Sequence, residues 1–137
     1  MKATEVLMEE HRVIERVLTS LEKAASNLSE GRAVRPGFFT DAADFIKGFA
    51  DGCHHVKEEN VLFEAIVQAG LPREAGPVAV MLTEHEQGRA YTRDMRAAAE
   101  RLAGGDFLAR GELVRNALGY VSLLRQHIQK EDGVLFP

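Results

Sequence analysis

The sequence predicts an all-α protein: an up-down-up-down antiparallel four-helix bundle with an internal two-fold repeat of helical hairpins. Three observations predict it. The 137-residue chain has four long segments whose interiors lack proline, about residues 3–30, 37–69, 77–103 and 106–132. Clusters of turn residues separate them, at Gly31 to Gly37, Gly70 to Pro77 and Gly104-Gly105-Asp106. Ala, Leu, Glu and Arg are frequent and Trp is absent, which is a helix-forming composition. At about 1.5 Å per residue each segment spans roughly 35–45 Å, and such short connections make neighbours antiparallel. The length fits a single domain over residues 1–137.

In the first segment Leu7, Ile14, Leu21 and Leu28 form a heptad seam, with His11, Leu18 and Ala25 interleaved. His11 thus takes a core position. The second segment is less tidy. An α-helical wheel cannot choose between a His54/Glu58 line and a His55/Glu59 line as the buried one, and Lys47 and Asp51 fall near the first. Phe45, Phe49 and Phe63 point roughly the other way. The third segment has the seam Val78, Met81, His85, Gly88, Thr92, Met95, Ala99 and Leu102. The fourth has Leu113, Ala117, Tyr120, Leu124, His127, Glu131 and Val134. Histidines therefore lie on the apolar stripes, and a glutamate joins them.

Several function classes are disfavoured at once. The net charge is -4, from 21 acidic and 17 basic residues, where a nucleic-acid or membrane-surface binder wants a basic face. No apolar run approaches the roughly 18 residues of a membrane span. The start MKATEVLMEEHR is acidic and amphipathic, unlike a signal peptide. Cys53 is the one cysteine, so no internal disulfide framework exists; a reducing, cytoplasmic location is expected.

An internal repeat sharpens the reading. HHVKEENVLF, from His54 to Phe63, parallels HIQKEDGVLF, from His127 to Phe136. The pair Glu10-His11 is likewise repeated as Glu84-His85 at nearly the same offset. Each hairpin therefore brings a lone His on its first helix and H-x-x-x-E on its second. Packed with pseudo-two-fold symmetry, the copies converge His11, His54, His85, His127, Glu58 and Glu131 on one place. A single buried His beside a Glu is most often a hydrogen-bonded core pair. Two buried carboxylates, each one turn from an imidazole, need positive charge, because burying an unpaired carboxylate costs several kcal/mol. The joint pattern favours a metal site. Residues i and i+4 share a helix face, and six donors exceed the needs of one tetrahedral zinc. Two metals bridged by Glu58 and Glu131 suit them. Mixed nitrogen and oxygen donors without thiolate favour iron, manganese or zinc.

At these residues, from EEHRVIERVL through GPVAVMLTEHEQGR to HIQKEDGVLFP, the sequence resembles the hemerythrin-like (HHE) cation-binding domains. It looks most similar to the hemerythrin-like domain of bacterial iron-centre repair proteins. The resemblance implies a di-iron centre with an oxo or hydroxo bridge, His11 and His54 on one iron, His85 and His127 on the other, and Glu58 and Glu131 bridging. Spacing leaves Mn or Zn open. Invertebrate hemerythrins have a further His where Met81 stands here. His55 is either its replacement as a ligand or a flanking residue, while Glu59 points outward to solvent. The implied partners are O2 or NO, bound for sensing, carriage or scavenging. The alternative is an iron-dependent stress protein that reduces peroxide or NO, or donates iron to iron–sulfur clusters. A third class is a metal-free bundle with a polar core.

Other residues have plainer readings. Tyr120 is a core aromatic or a hydrogen-bond donor to a bound ligand. Gly88 and Thr92 leave room for a ligand or permit close helix packing. Arg89 pairs with a carboxylate. Cys53 is a small core residue. Phe38, Phe39, Phe45 and Phe49 are core material or cover a helix interface.

Overall fold

The computed structural model describes residues 3–59, 68, 70 and 76–135. Among these residues four long helical segments and no strand are present, and they form the expected all-α bundle. Helix α1 covers Ala3–Ser29. Helix α2 (Pro36–Phe45) runs on into a π-helical stretch, Ile46–His54, and an α-helical turn, His55–Lys57. Helix α3 covers Gly76–Ala103 and α4 covers Ala109–Lys130, which continues as a second π-helical stretch, Glu131–Leu135. Most of the predicted turn at 70–77, and the V-L-F end of the first repeat at 61–63, lie outside the described residues.

Cross-helix pairs fix the directions. Glu22 meets Arg125 while His11 meets Asp132, so α1 and α4 are antiparallel. Asp44 meets Arg96 while His55 stacks on His85, so α2 and α3 are antiparallel too. Arg101 with Glu112, and His85 with His127, set α3 against α4. Two of the turns use one device. Gly31 and Gly105 follow α1 and α3 with φ of 83° and 99°. The N–H of each bonds back to Leu28 or Leu102, and the next N–H reaches the carbonyl of Asn27 or Arg101. This left-handed closure satisfies the last helical carbonyls at a φ that glycine tolerates best. Pro36 opens α2 at a position where its missing N–H costs nothing.

The seams fold inward as the periodicity predicts. Leu18, Leu21, Ala25, Phe39, Met95, Leu113 and Ala117 are buried in one apolar cluster that fills one half of the bundle. Tyr120 is buried in the same cluster. The other half is polar: every histidine of the chain is buried there with Glu58 and Glu131. Leu7, Val78 and Met81 are buried beyond it, toward the starts of α1 and α3. The polar site thus sits between two apolar plugs, which keeps water away from it. Of the phenylalanine group, Phe39 is core, Phe38 and Phe49 are partly buried, and Phe45 is 37% exposed.

The π-helical stretch explains the untidy second segment. The His55 N–H bonds to the Ala50 carbonyl, five residues back rather than four. A wider turn swings successive side chains through a smaller angle than an α-helix does. His54 and His55, adjacent in sequence, are consequently both buried, where a 3.6-residue period allows one such line.

The apolar half should dominate folding stability. Leu18→Ala is expected to lower it by about 2–5 kcal/mol, as a fully buried leucine leaves a cavity. Phe107→Ser, at a side chain 78% exposed, should change it by about 0.5 kcal/mol or less. Denaturant midpoints of both variants, compared at equal metal content, check the contrast.

Candidate metal centre

The site is built from one imidazole on α1, two on the α2 extension, one on α3 and one on α4. Each Nδ1 is held by a carboxylate on the outer side. His11 Nδ1 lies 2.8 Å from Asp132 and His54 Nδ1 2.9 Å from Glu10. His55 Nδ1 lies 3.1 Å from Asp51, His85 Nδ1 3.2 Å from Glu59, and His127 Nδ1 3.0 Å from Glu84. A carboxylate accepts, so these contacts place the proton on Nδ1 and leave Nε2 as the inward-facing donor atom. Outer partners of this kind orient metal-binding imidazoles and raise their basicity.

The inward atoms crowd together. His11 Nε2 is 3.0 Å from Glu131 and 3.7 Å from Glu58. His54 Nε2 touches Glu58. His85 Nε2 is 3.3 Å from Glu58 and 3.2 Å from His127 Nε2. His127 Nε2 is 3.2 Å from Glu131 and 3.9 Å from Glu58. His55 lies flat on His85, ring centroids 3.8 Å apart. Yet Nε2 of His54 and of His55, and all four carboxylate oxygens of Glu58 and Glu131, are buried without a hydrogen bond of good geometry. Neutral imidazole lone pairs facing carboxylate oxygens repel one another. A cation between them removes that cost, and the donor set fits one.

Two groups of donor atoms result. His11, His54, Glu58 and Glu131 bring theirs within 4.8 Å of one another, and so do His55, Glu58, His85 and His127. Glu58 belongs to both. Glu131 belongs to the first and also touches His127 of the second. The structure brings His11 together with His54 in one group, and His85 with His127 and His55 in the other.

The repeat reaches into the supporting residues. Glu10 precedes His11 yet supports His54; Glu84 precedes His85 yet supports His127. Lys57 reaches Glu10 and Lys130 reaches Glu84, each at 2.7 Å. The lone histidines are supported crosswise: His11 by Asp132 of the second hairpin, His85 by Glu59 of the first. One pair breaks the symmetry. His55 and its support Asp51 correspond to Ile128 and Leu124 in the second copy, both apolar. The second group therefore has one imidazole more than the first.

Glu59 departs from its expectation. It is half-buried, accepting from His85 and pairing with Arg89 at 3.1 Å. On an α-helical wheel it faces solvent, but the π-helical winding turns it back toward α3. Cys53 is half-buried rather than core, because the same winding spends the inward positions on His54 and His55. A β-carbon at Gly88 would meet Leu124 Cδ2 at 3.5 Å, an ordinary contact, so helix packing there does not demand glycine. Thr92 is buried and bonds to the Gly88 carbonyl at 2.9 Å.

When no metal is bound, protons supply the missing charge. Burial opposes a charged His11 or His127, but Glu131 and Glu58 outweigh it and raise both to about 10. Burial and the facing Glu58 push Glu131 up, while Glu58 is held low despite its burial by Glu131 and the imidazoles crowded around it. Burial lowers His55 to about 4, with Asp51 opposing only in part. Around Glu10 and Glu84 burial is outweighed by Lys57 with His54, and by Lys130 with His127, so both acids are lowered.

Two outcomes follow for solution work. Metal must displace the protons on His11 and His127, both raised to about 10, so loading near pH 8 should release acid into weakly buffered solution. An indicator dye that records no acidification would contradict this. In the metal-free chain the signs divide. His11 and His127 are raised, so their contribution is full below an unfolded pKa of about 6.5 and is lost as pH rises toward about 10. His55 is lowered, so its contribution is present above about 6.5 and is lost as pH falls toward about 4. Denaturation of the metal-free chain across pH should show both limbs. Separately, Glu84→Gln should weaken metal binding by about 10–100-fold, read by competition with a chelator.

The comparisons with known proteins agree with this geometry. The hemerythrin HHE cation-binding domain matches residues 2–137. Uncharacterized proteins of Mycobacterium bovis and of two Mycobacterium tuberculosis strains are each 30% identical over 135 residues, covering 98% of this chain and 52% of their own length. The chain thus spans about half the length of the curated relatives it matches. No solved structure gives a significant match. A family match over nearly the whole sequence, together with buried His/Glu clusters whose donor atoms could hold metal ions, identifies the chain as a member of the hemerythrin HHE cation-binding domain family.

Proposed function

We propose that the two donor groups hold a pair of iron ions bridged by Glu58 and Glu131, and that this centre binds a small ligand, O2 or NO, for sensing, carriage or scavenging. The unequal imidazole count is the observation that carries the reading. The group of His55, His85 and His127 would hold an ion with three imidazoles, whereas the group of His11 and His54 would offer two. An ion held by the group with fewer imidazoles would have room for a small ligand, as a reactive metal site needs. When bound, the metals supply electron transfer to, or reversible coordination of, the diatomic molecule.

The chain's own residues prepare that chemistry. The outer carboxylates fix every imidazole tautomer, so little reorganisation accompanies ligand binding. Leu7, Val78 and Met81 on one side, with Leu124 and Tyr120 on the other, exclude water. Burial raises the Tyr120 hydroxyl well above its ordinary value, so it stays a neutral hydrogen-bond donor.

Metal quantitation with an anaerobic-to-aerobic optical spectrum tests the proposal. The expected result is about two metals per chain and a visible band that forms with O2 and reverses on its removal. Immediate irreversible oxidation excludes carriage. Steady turnover of peroxide or NO, lost in Glu131→Ala, favours the reductive stress role instead. Less than about one metal per chain after growth in iron-rich medium removes the metal reading altogether. Loading should also raise the melting temperature and chelation lower it, because a site present only in the folded state links binding to folding.

A further inference from the structure

A cavity of about 450 Å³ opens between the α2 extension and α3, outside the metal centre. Four cationic side chains line it: Lys47 on one wall and Arg89, Arg93 and Arg96 on the other. Two of these are already engaged, Arg89 by Glu59 and Glu86, and Arg96 by Asp44 and Glu100. The other two are engaged less. Lys47 is exposed with no carboxylate partner among the described residues, and Arg93 has only a 3.3 Å contact with its neighbour Asp94. The remaining wall is mostly carbon, from Ala43, Thr92 and the stems of the long cations. The lone lining acid, Asp51, is engaged by His55 Nδ1.

From this arrangement we infer that the cavity binds a small organic anion, a carboxylate with an apolar body. Its charged head pairs with Lys47 and Arg93, and its body lies against Ala43 and Thr92. Size separates this ligand from the one proposed at the metals. A diatomic molecule needs about the 30 Å³ of a water, whereas cavities that hold organic ligands run from about 300 to 1,000 Å³. Charge sets the orientation. Asp51 repels an anionic head from its end of the cavity, so the head belongs at the cationic rim. The inference does not depend on which metal the chain holds or what that metal binds.

Equilibrium dialysis of the metal-loaded full chain against labelled benzoate, with inorganic phosphate in a parallel arm, tests it. Saturable binding of benzoate near one per chain, tighter than that of phosphate, is expected, and it should weaken as salt is added. The double substitution Lys47→Gln with Arg93→Gln removes two exposed charges and should weaken benzoate about tenfold, with metal content and helical signal unchanged. Arg110→Gln, an exposed cation at the start of α4, should leave benzoate affinity unchanged. Uptake that does not saturate, phosphate binding as tightly as benzoate, or equal affinity in the double variant overturns the inference.

Discussion

The structure depends on one constraint: an imidazole has two nitrogens, and here the outer one is already committed. Each Nδ1 is tied to a carboxylate, so each Nε2 is the ring nitrogen left to face the centre. Together with two fully buried glutamates they make a concentration of electron-rich atoms that an apolar interior cannot hold alone. Positive charge has to be present at the centre, as protons or as metal. The rest of the bundle holds those atoms in register, with an apolar half on one side and the smaller group of Leu7, Val78 and Met81 on the other.

The backbone adapts to that demand where the demand is greatest. The π-helical winding among the described residues lies at the acid-bearing ends, at Ile46–His54 and residues 58–59 around Glu58 and at Glu131–Leu135. A regular α-helix presents one stripe to the core. The wider winding lets the second helical segment present His54, His55 and Glu58 together while Glu59 and Asp51 still reach across as supports. The backbone gives up ideal hydrogen-bond geometry there in exchange for donor density.

Much of this was legible in the sequence. The heptad seams placed His11, His85 and His127 inside, and the repeat aligned His54 with His127 and Glu58 with Glu131. The supports were less visible for a physical reason. Glu10, Glu84, Glu59 and Asp132 lie at the boundary of the polar faces, where hydrophobic periodicity reads a charged residue as solvated. The repeat did contain a usable signal, because the Lys of HHVK and of HIQK recurs in step with its histidine and marks the Lys–Glu–His chains. His55 and Glu59 were obscured by the 3.6-residue period itself, which a π-helical segment does not obey. The cavity by Lys47 had no sequence signal at all, since it depends on how two helices diverge.

The crosswise supports tie the two halves of the molecule to each other. Asp132 steadies His11 and Glu59 steadies His85, so neither hairpin owns a complete set of steadied imidazoles. A hairpin severed from its mate would keep an imidazole with nothing to hold its ring, and it would also lack half the donors. Organisation of the centre is therefore a property of the docked pair. It arises in the same event that joins the hairpins, and pulling them apart dismantles both donor groups at once rather than one after the other.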